Sequence, residues 1–419
     1  MKIKTTLLSL LTLTILTSCN GQVSKQEKKA LAKNPNNTVT TAIGDISLPP
    51  PFATESARMS SSIVDWPKGK MPTAPEGFTV SKFASDLNAP RWVYVAPNND
   101  IFVSESYAER LTVFRDTNKD GVFETKSVFL KGLNKPFGML ILDNHFYVAN
   151  TDGIYRYPYN GEIELQSKGE KILSLPAGGY NNHWTRNLIA NADGSKIYVT
   201  VGSGSNVGEN GMENEVRRAC ILEINPDGSG EKIYASGLRN PVGVDWNPAN
   251  GELWTAVNER DGLGDDLVPD YITSVKRDEF YGWPYSYFGN LPDPRMKGEG
   301  KELAAKALVP DVPVGAHTAS LGLAFYNKNA FPEKYKNGAF IGQHGSWNRS
   351  IISGYKVAFV PFKNGKPTGK PEDFLTGFIA DASKAQVYGR PVAVAVMHDG
   401  SLLVTDDGSN TIWKVTANK

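Results

Sequence analysis

LNAPRWVYVAPNNDIFVSE, residues 87 to 105, reads as a proline-closed turn, a short apolar strand, an Asn-Asn-Asp turn and a second strand ending on an acidic residue. Proline fixes its own φ and has no N–H to donate, so it marks where a strand can begin but not continue. Asparagine and aspartate tolerate the turn between strands, and alternating Val, Tyr, Ile and Phe suit a half-buried pleat. The stretch predicts a hairpin.

The same phrase returns along the chain. LNKPFGMLILDNHFYVANT (133–151), HWTRNLIANADGSKIYVTVG (183–202) and LRNPVGVDWNPANGELWTAVNE (238–259) follow it. SLGLAFYNKNAFPEKYKNGAFIGQHG (320–345) and GRPVAVAVMHDGSLLVTDD (389–407) complete the set. The early copies are spaced by roughly 45 to 55 residues, the period of a four-stranded propeller blade with insertions. Six copies predict an all-β chain, a six-bladed β-propeller over residues 77–419. In that architecture the turns before each inner strand converge at one end of the axis. Arg91, Arg239 and Arg390 share nearly the same phase in three copies, so they are expected to meet there.

Forty-five basic and forty-four acidic residues leave a net charge of +1, which argues against a polyanion such as nucleic acid as partner. The first nineteen residues read differently from the rest. A basic start, Met-Lys-Ile-Lys, precedes an apolar run from Thr5 to Leu16 and then Leu-Thr-Ser-Cys. This is a leader of signal type, too short to span a bilayer, and its Cys19 resembles the lipidated cysteine of bacterial lipoproteins. Residues 1–19 are therefore expected to be a lipoprotein signal peptide and residues 20–76, rich in Lys, Asn, Thr and Pro, a flexible tether. The expected address is the bacterial cell envelope, facing the periplasm or the cell surface, with the membrane touched only through the N-terminal lipid. Cys220, in an apolar strand, is left as a buried core thiol without a disulfide partner.

Chemistry is most legible in residues 236–267, where Arg239 and Asn240 precede one hairpin and Glu259, Asp261, Asp265 and Asp266 follow it. Cations on one turn and oxygens on the next suit an anionic ligand beside a hard metal ion. Asp116-Thr-Asn118-Lys-Asp120-Gly121 has the first half of a calcium-loop spacing but no acidic residue at its twelfth position, and a plain Asx turn needs the same residues.

Several separate motifs carry a resemblance: NPDGSG (225–230), GLRNPVG (237–243), ERDGLGDDL (259–267), YGWPYSY (281–287), HGSWNR (344–349) and the last hairpin copy. Together, over residues 77–417, the chain resembles the glucose and sorbosone dehydrogenases that use pyrroloquinoline quinone. The resemblance implies oxidation of an aldose at its anomeric carbon, or of a sorbosone-like aldehyde, with quinone and calcium at a propeller axis. It implies His183 as the general base and Arg239, Asn240 and Arg390 as cofactor contacts, with Arg91 at the same phase. It also brings in the HGSWNR loop: His344, Trp347, Asn348 and Arg349. Trp347 is open to two readings, stacking on a planar ligand or packing within a blade. His317 also remains a candidate.

The family's axial calcium would fall on the backbone carbonyls of Asp261 and Gly262. Leu267 stands where relatives carry a glutamate, which puts a second calcium in doubt. No Cys-x-x-Cys-His is present, so electrons would pass to an external quinone or cytochrome. The alternative is a propeller that only binds a glycan or protein at the envelope, since the fold hosts many functions.

Overall fold

Each copy of the hairpin phrase forms the first two strands of a four-stranded antiparallel sheet in the computed structural model, which describes residues 23–178 and 183–418. Sheet one runs Val93–Val95, Ile101–Glu105, Arg110–Arg115 and Thr125–Lys131, and sheet two Met139–Leu142, His145–Asn150, Gly153–Pro158 and Glu170–Ser174. Sheet three holds Arg186–Ala190, Ile197–Val201, Cys220–Ile224 and Lys232–Ser236; sheet four holds Pro241–Trp246, Leu253–Val257, Pro269–Ser274 and Val312–Ala316. Sheet five is built from Ala324–Phe325, Ala339–Gln343, Lys356–Val360 and Glu372–Leu375. The sixth begins Pro391–Val396, Leu402–Asp406 and Thr411–Ala417, and its outer strand is Phe78–Ala84, from before sheet one. The two ends of the repeat region are thus zipped together, with Val415 opposite Val80.

The core lies between sheets. Trp254, Ala256 and Ile272 of sheet four pack on Phe325, Ala339 and Ile341 of sheet five, and equivalent apolar layers join each sheet to the next and the sixth to the first. Second strands such as Leu253–Val257 and Leu402–Asp406 are therefore buried along their whole length, since both faces meet a neighbouring sheet. First strands approach so closely that a β-carbon on Gly243 would stand 2.6 Å from the Leu323 nitrogen of the adjacent sheet. Only glycine leaves room there.

The leader and Cys19 lie outside the described residues. The expected tether does not hold for residues 23–76. Ser24 and Glu27 form a capping box at helix Lys25–Leu31, strands Asn37–Thr41 and Gly44–Leu48 pair as a hairpin, and Ser62–Ile63 runs parallel to Gln386–Val387. Val39 and Leu48 join the core of sheets three and four, while Trp66 stacks on Tyr388 at 4.8 Å. Its few apolar residues are too widely spaced to show periodicity, yet Val39, Leu48, Met59 and Trp66 each find a place against the sheets. The segment is a strap rather than a spacer.

Candidate active site

Turns preceding the first strands and loops following the second strands meet over a cavity of about 520 Å³. Eleven residues singled out in the sequence line it: Arg91, His183, Arg239, Asn240, Glu259, Asp261, His317, His344, Trp347, Asn348 and Arg390. They come from sheets one, three, four, five and six, so the site is assembled by the repeat and not by one motif.

His183 is held through one nitrogen. Its Nδ1 lies 2.8 Å from the Ser203 carbonyl and 3.0 Å from Ser203 Oγ, which gives its own proton to the Ser205 carbonyl at 2.6 Å. Both neighbours can only accept, so Nδ1 carries the hydrogen and Nε2 keeps a lone pair. Burial and the charge of Arg239 push the imidazole down to about 3. Gly202 makes this placement possible: a β-carbon there would collide with Asn240 Oδ1 and come within 2.6 Å of His183 Cβ.

The three arginines differ. Arg239 is almost wholly buried and all its donors are used, by the Asn206 carbonyl and side chain, the Asn258 and Glu259 carbonyls and Asp261. It supplies charge and fixes loops, a narrower role than the expected ligand-grasping fork. Arg91 pairs through Nη1 with Asp407 at 2.5 Å and leaves Nε buried without a partner. Arg390 donates through Nε to the His344 carbonyl at 3.3 Å, and among the described residues neither of its Nη groups is engaged. Asn240 Oδ1 is likewise buried and unpartnered. Arg91 Nε and Asn240 Oδ1 are buried polar atoms without a protein partner, which is costly, and both belong to residues that line the cavity.

The other histidines belong to networks. His344 Nε2 lies 2.8 Å from Asp407 Oδ1, and burial together with Arg390 pushes the ring down to about 4 despite that carboxylate. Burial opposes ionisation of Asp407, but His344, Arg91 and Arg390 outweigh it and hold the carboxyl well below its usual range. His317 has both nitrogens occupied, Nε2 by the Gly264 carbonyl at 2.9 Å and Nδ1 by Asn348 at 3.0 Å. Burial pulls His317 down, yet Asp261 and the Gly264 carbonyl win and leave it above its ordinary value.

Two predicted residues fall elsewhere. Arg349 points out to Asp266 in an exposed ion pair of 2.6 Å and does not line the cavity. Gly262 borders a separate outer cavity beside Arg295. Arg349→Ala is expected to change ligand affinity by less than about twofold and stability by less than about 1 kcal/mol, measured by titration and chemical denaturation, because exposed pairs contribute little. Trp347 is 41% exposed at the cavity mouth, so it packs in no blade. The strap reaches it: Met59 N–H donates to the Trp347 carbonyl at 2.9 Å and Arg58 lies over its ring at 5.2 Å. Asp265, read first as a metal oxygen, instead accepts from Ala57 of the strap and from Ser350, which follows HGSWNR.

Sequence reasoning missed Asp407, Trp184 and Asn206. Asp407 stands at the end of the second strand of its copy, the phase of His344, so repeat phase could have found it. Far from the cavity, the Asp116, Asp120 and Glu124 carboxylates lie within 4.8 Å of one another.

Residues 72–278 and 291–418 match the family described as TrAA12-like. The chain belongs to the TrAA12-like family. An uncharacterized protein of Borreliella burgdorferi is 32% identical to this TrAA12-like chain over 359 residues, 82% of this chain and 90% of that one. Aldose sugar dehydrogenase YliI of Escherichia coli is 32% identical over 188 residues, 44% of each chain. Among solved structures, the holo form of the pyranose dehydrogenase PQQ domain from Coprinopsis cinerea superposes with a TM-score of 0.71. At 19% identity, over 86% of the TrAA12-like chain and 100% of the other, that likeness is one of fold.

Proposed function

We propose that this protein is a six-bladed β-propeller that oxidises an aldose at its anomeric carbon, using pyrroloquinoline quinone and His183 as general base. One observation carries the reading: an imidazole with a free Nε2 shares a cavity with Asn240 and three arginines, of which Arg390 has neither Nη group engaged among the described residues. A cavity of about 520 Å³ accommodates a flat tricyclic acid, and planar guanidinium groups suit its carboxylates. When bound, the quinone supplies the two-electron acceptor for the hydride of the sugar C–H bond.

The chain's own residues do the rest. Arg91 and Arg390 hold the anion, and Arg239 sets the positive field without spending a donor on the ligand. His183 Nε2 takes the hydroxyl proton as the C–H bond breaks, and the product leaves as a lactone. An anionic occupant offsets the repulsion from Arg239 and so raises His183 from its depressed value, while burial still favours the neutral imidazole that accepts a proton. Calcium is a separate matter, because the Asp261 carbonyl expected to hold it already accepts two hydrogen bonds. Electrons then pass to an external acceptor, a quinone or cytochrome. The leader-like start ending at Cys19 supports a lipid-anchored place at the bacterial cell envelope.

Purified protein mixed with the quinone is expected to acquire its absorbance and to reduce a dye when given an aldose. No uptake and no turnover across a panel of pyranoses would return the fold to a binding role.

A further inference from the structure

The Asp261 carbonyl, expected to face calcium, faces a guanidinium. Arg295 sits in the short turn Pro294–Met296, inside the insertion between the third and fourth strands of sheet four. Its Nη1 donates to the Asp261 carbonyl at 2.6 Å, and Asn206 Nδ2 donates to the same oxygen at 3.0 Å. Both lone pairs are therefore committed.

The guanidinium is also fixed from behind. Nε and Nη2 make a bidentate pair with Asp293, at 2.9 and 2.7 Å, and Asp293 is buried against Arg260 at 3.2 Å. The Asp261 carboxylate is committed as well, with Asn348 on Oδ1 and Arg239 at 3.4 Å from Oδ2. At the next residue, Arg295 Nη1 lies 3.2 Å from where a β-carbon of Gly262 would stand. Calcium bonds oxygen at about 2.3 to 2.6 Å, so an ion here would have to expel both donors and sit against a fixed positive charge.

We infer that Arg295 takes the place of calcium at Asp261: a charge borne by the protein orders the 261–262 turn, and the site needs no calcium there. Arg295 touches no ligand. It is a positioning residue, acting through the turn that presents the Asp261 carboxylate to Arg239 and Asn348. The cofactor arm of the test rests on the quinone reading above, and the metal arm does not.

The test uses the full chain carrying Asp116→Asn and Asp120→Asn, so that the distant carboxylate cluster contributes no ion. Equilibrium dialysis against radioactive calcium up to about 1 mM is expected to find no stoichiometric ion, and one ion retained per chain overturns the inference whether or not quinone binds. Quinone titrations followed by absorbance in chelator and in calcium are expected to agree within about twofold, and binding more than about tenfold tighter with calcium overturns it. No quinone uptake in either buffer sinks the proposed function instead, and dialysis still decides the metal question. Arg295→Ala is expected to make quinone binding calcium-dependent by baring the carbonyl, while Arg295→Lys keeps it chelator-resistant. Unchanged, chelator-resistant binding in Arg295→Ala removes the positioning role. Should that variant not fold, the two measurements on the parent site decide.

Discussion

In His183→Ala the rate of sugar oxidation is expected to fall by about a thousandfold while quinone affinity changes by less than about threefold. The separation follows from geometry. His183 is anchored by the Ser203 carbonyl and hydroxyl, and no charged ligand-binding group depends on its ring for position. Loss of both properties together would show that the imidazole holds the cofactor. The pH response gives a second readout. Below an ordinary imidazole pKa of about 6.5 an unfolded chain protonates, whereas folded His183 and His344 resist until about 3 and about 4. The unfolded state then binds more protons, so these two groups lower stability as pH falls from about 6.5 toward 4. His317, held above its ordinary value, works in the opposite direction. His183→Ala should therefore lose less stability on acidification than the parent, read from denaturation midpoints across that window. An identical acid profile would mean that His183 titrates normally.

The fold could be read because hairpin turns announce themselves locally. Asn, Asp or Gly turns and alternating apolar residues recur at each copy, with a leading proline in four of them, and every copy forms two strands where expected. Pairings that close over long sequence distances leave no such mark: nothing near Phe78–Ala84 says that it completes the last sheet. The strap was missed for a related reason, since Val39, Leu48 and Trp66 are anchored singly by distant surfaces. In the site, repeat phase located Arg91, Arg239 and Arg390 but could not say which donors were free. That depends on Asn206 and on backbone carbonyls, which no pattern of residue types exposes. Arg295 was the least accessible, because it lies in the insertion between the third and fourth strands of sheet four, outside the repeat.

The same insertion carries the largest expected stability effect. Asp293→Ala should destabilise the protein by about 3 to 5 kcal/mol, seen as a lower denaturation midpoint at unchanged slope. Asp293 is 1% exposed and lies between Arg260 at 3.2 Å and Arg295 at 2.7 Å. Burial alone would favour its neutral form, but Arg295 and then Arg260 hold it ionised below its ordinary range. Arg260 is wholly buried, bound to Glu259 at 2.9 Å and to the Pro284 and Ser286 carbonyls. Without Asp293, Arg295 keeps only the Asp261 carbonyl, and Arg260, with no route to water, keeps only Glu259 and two backbone carbonyls. Asp293→Asn keeps an acceptor and the shape, so its cost should be smaller, about 1 to 3 kcal/mol. A loss under about 1 kcal/mol in the alanine variant would mean that Glu259 and the carbonyls satisfy Arg260 unaided. The effect should also reach the cavity, because Glu259 lines it and Arg295 grips the Asp261 carbonyl from the other side. Quinone affinity should then fall in Asp293→Ala although Asp293 borders no part of the cavity, which separates this charge relay from simple loosening of a surface loop.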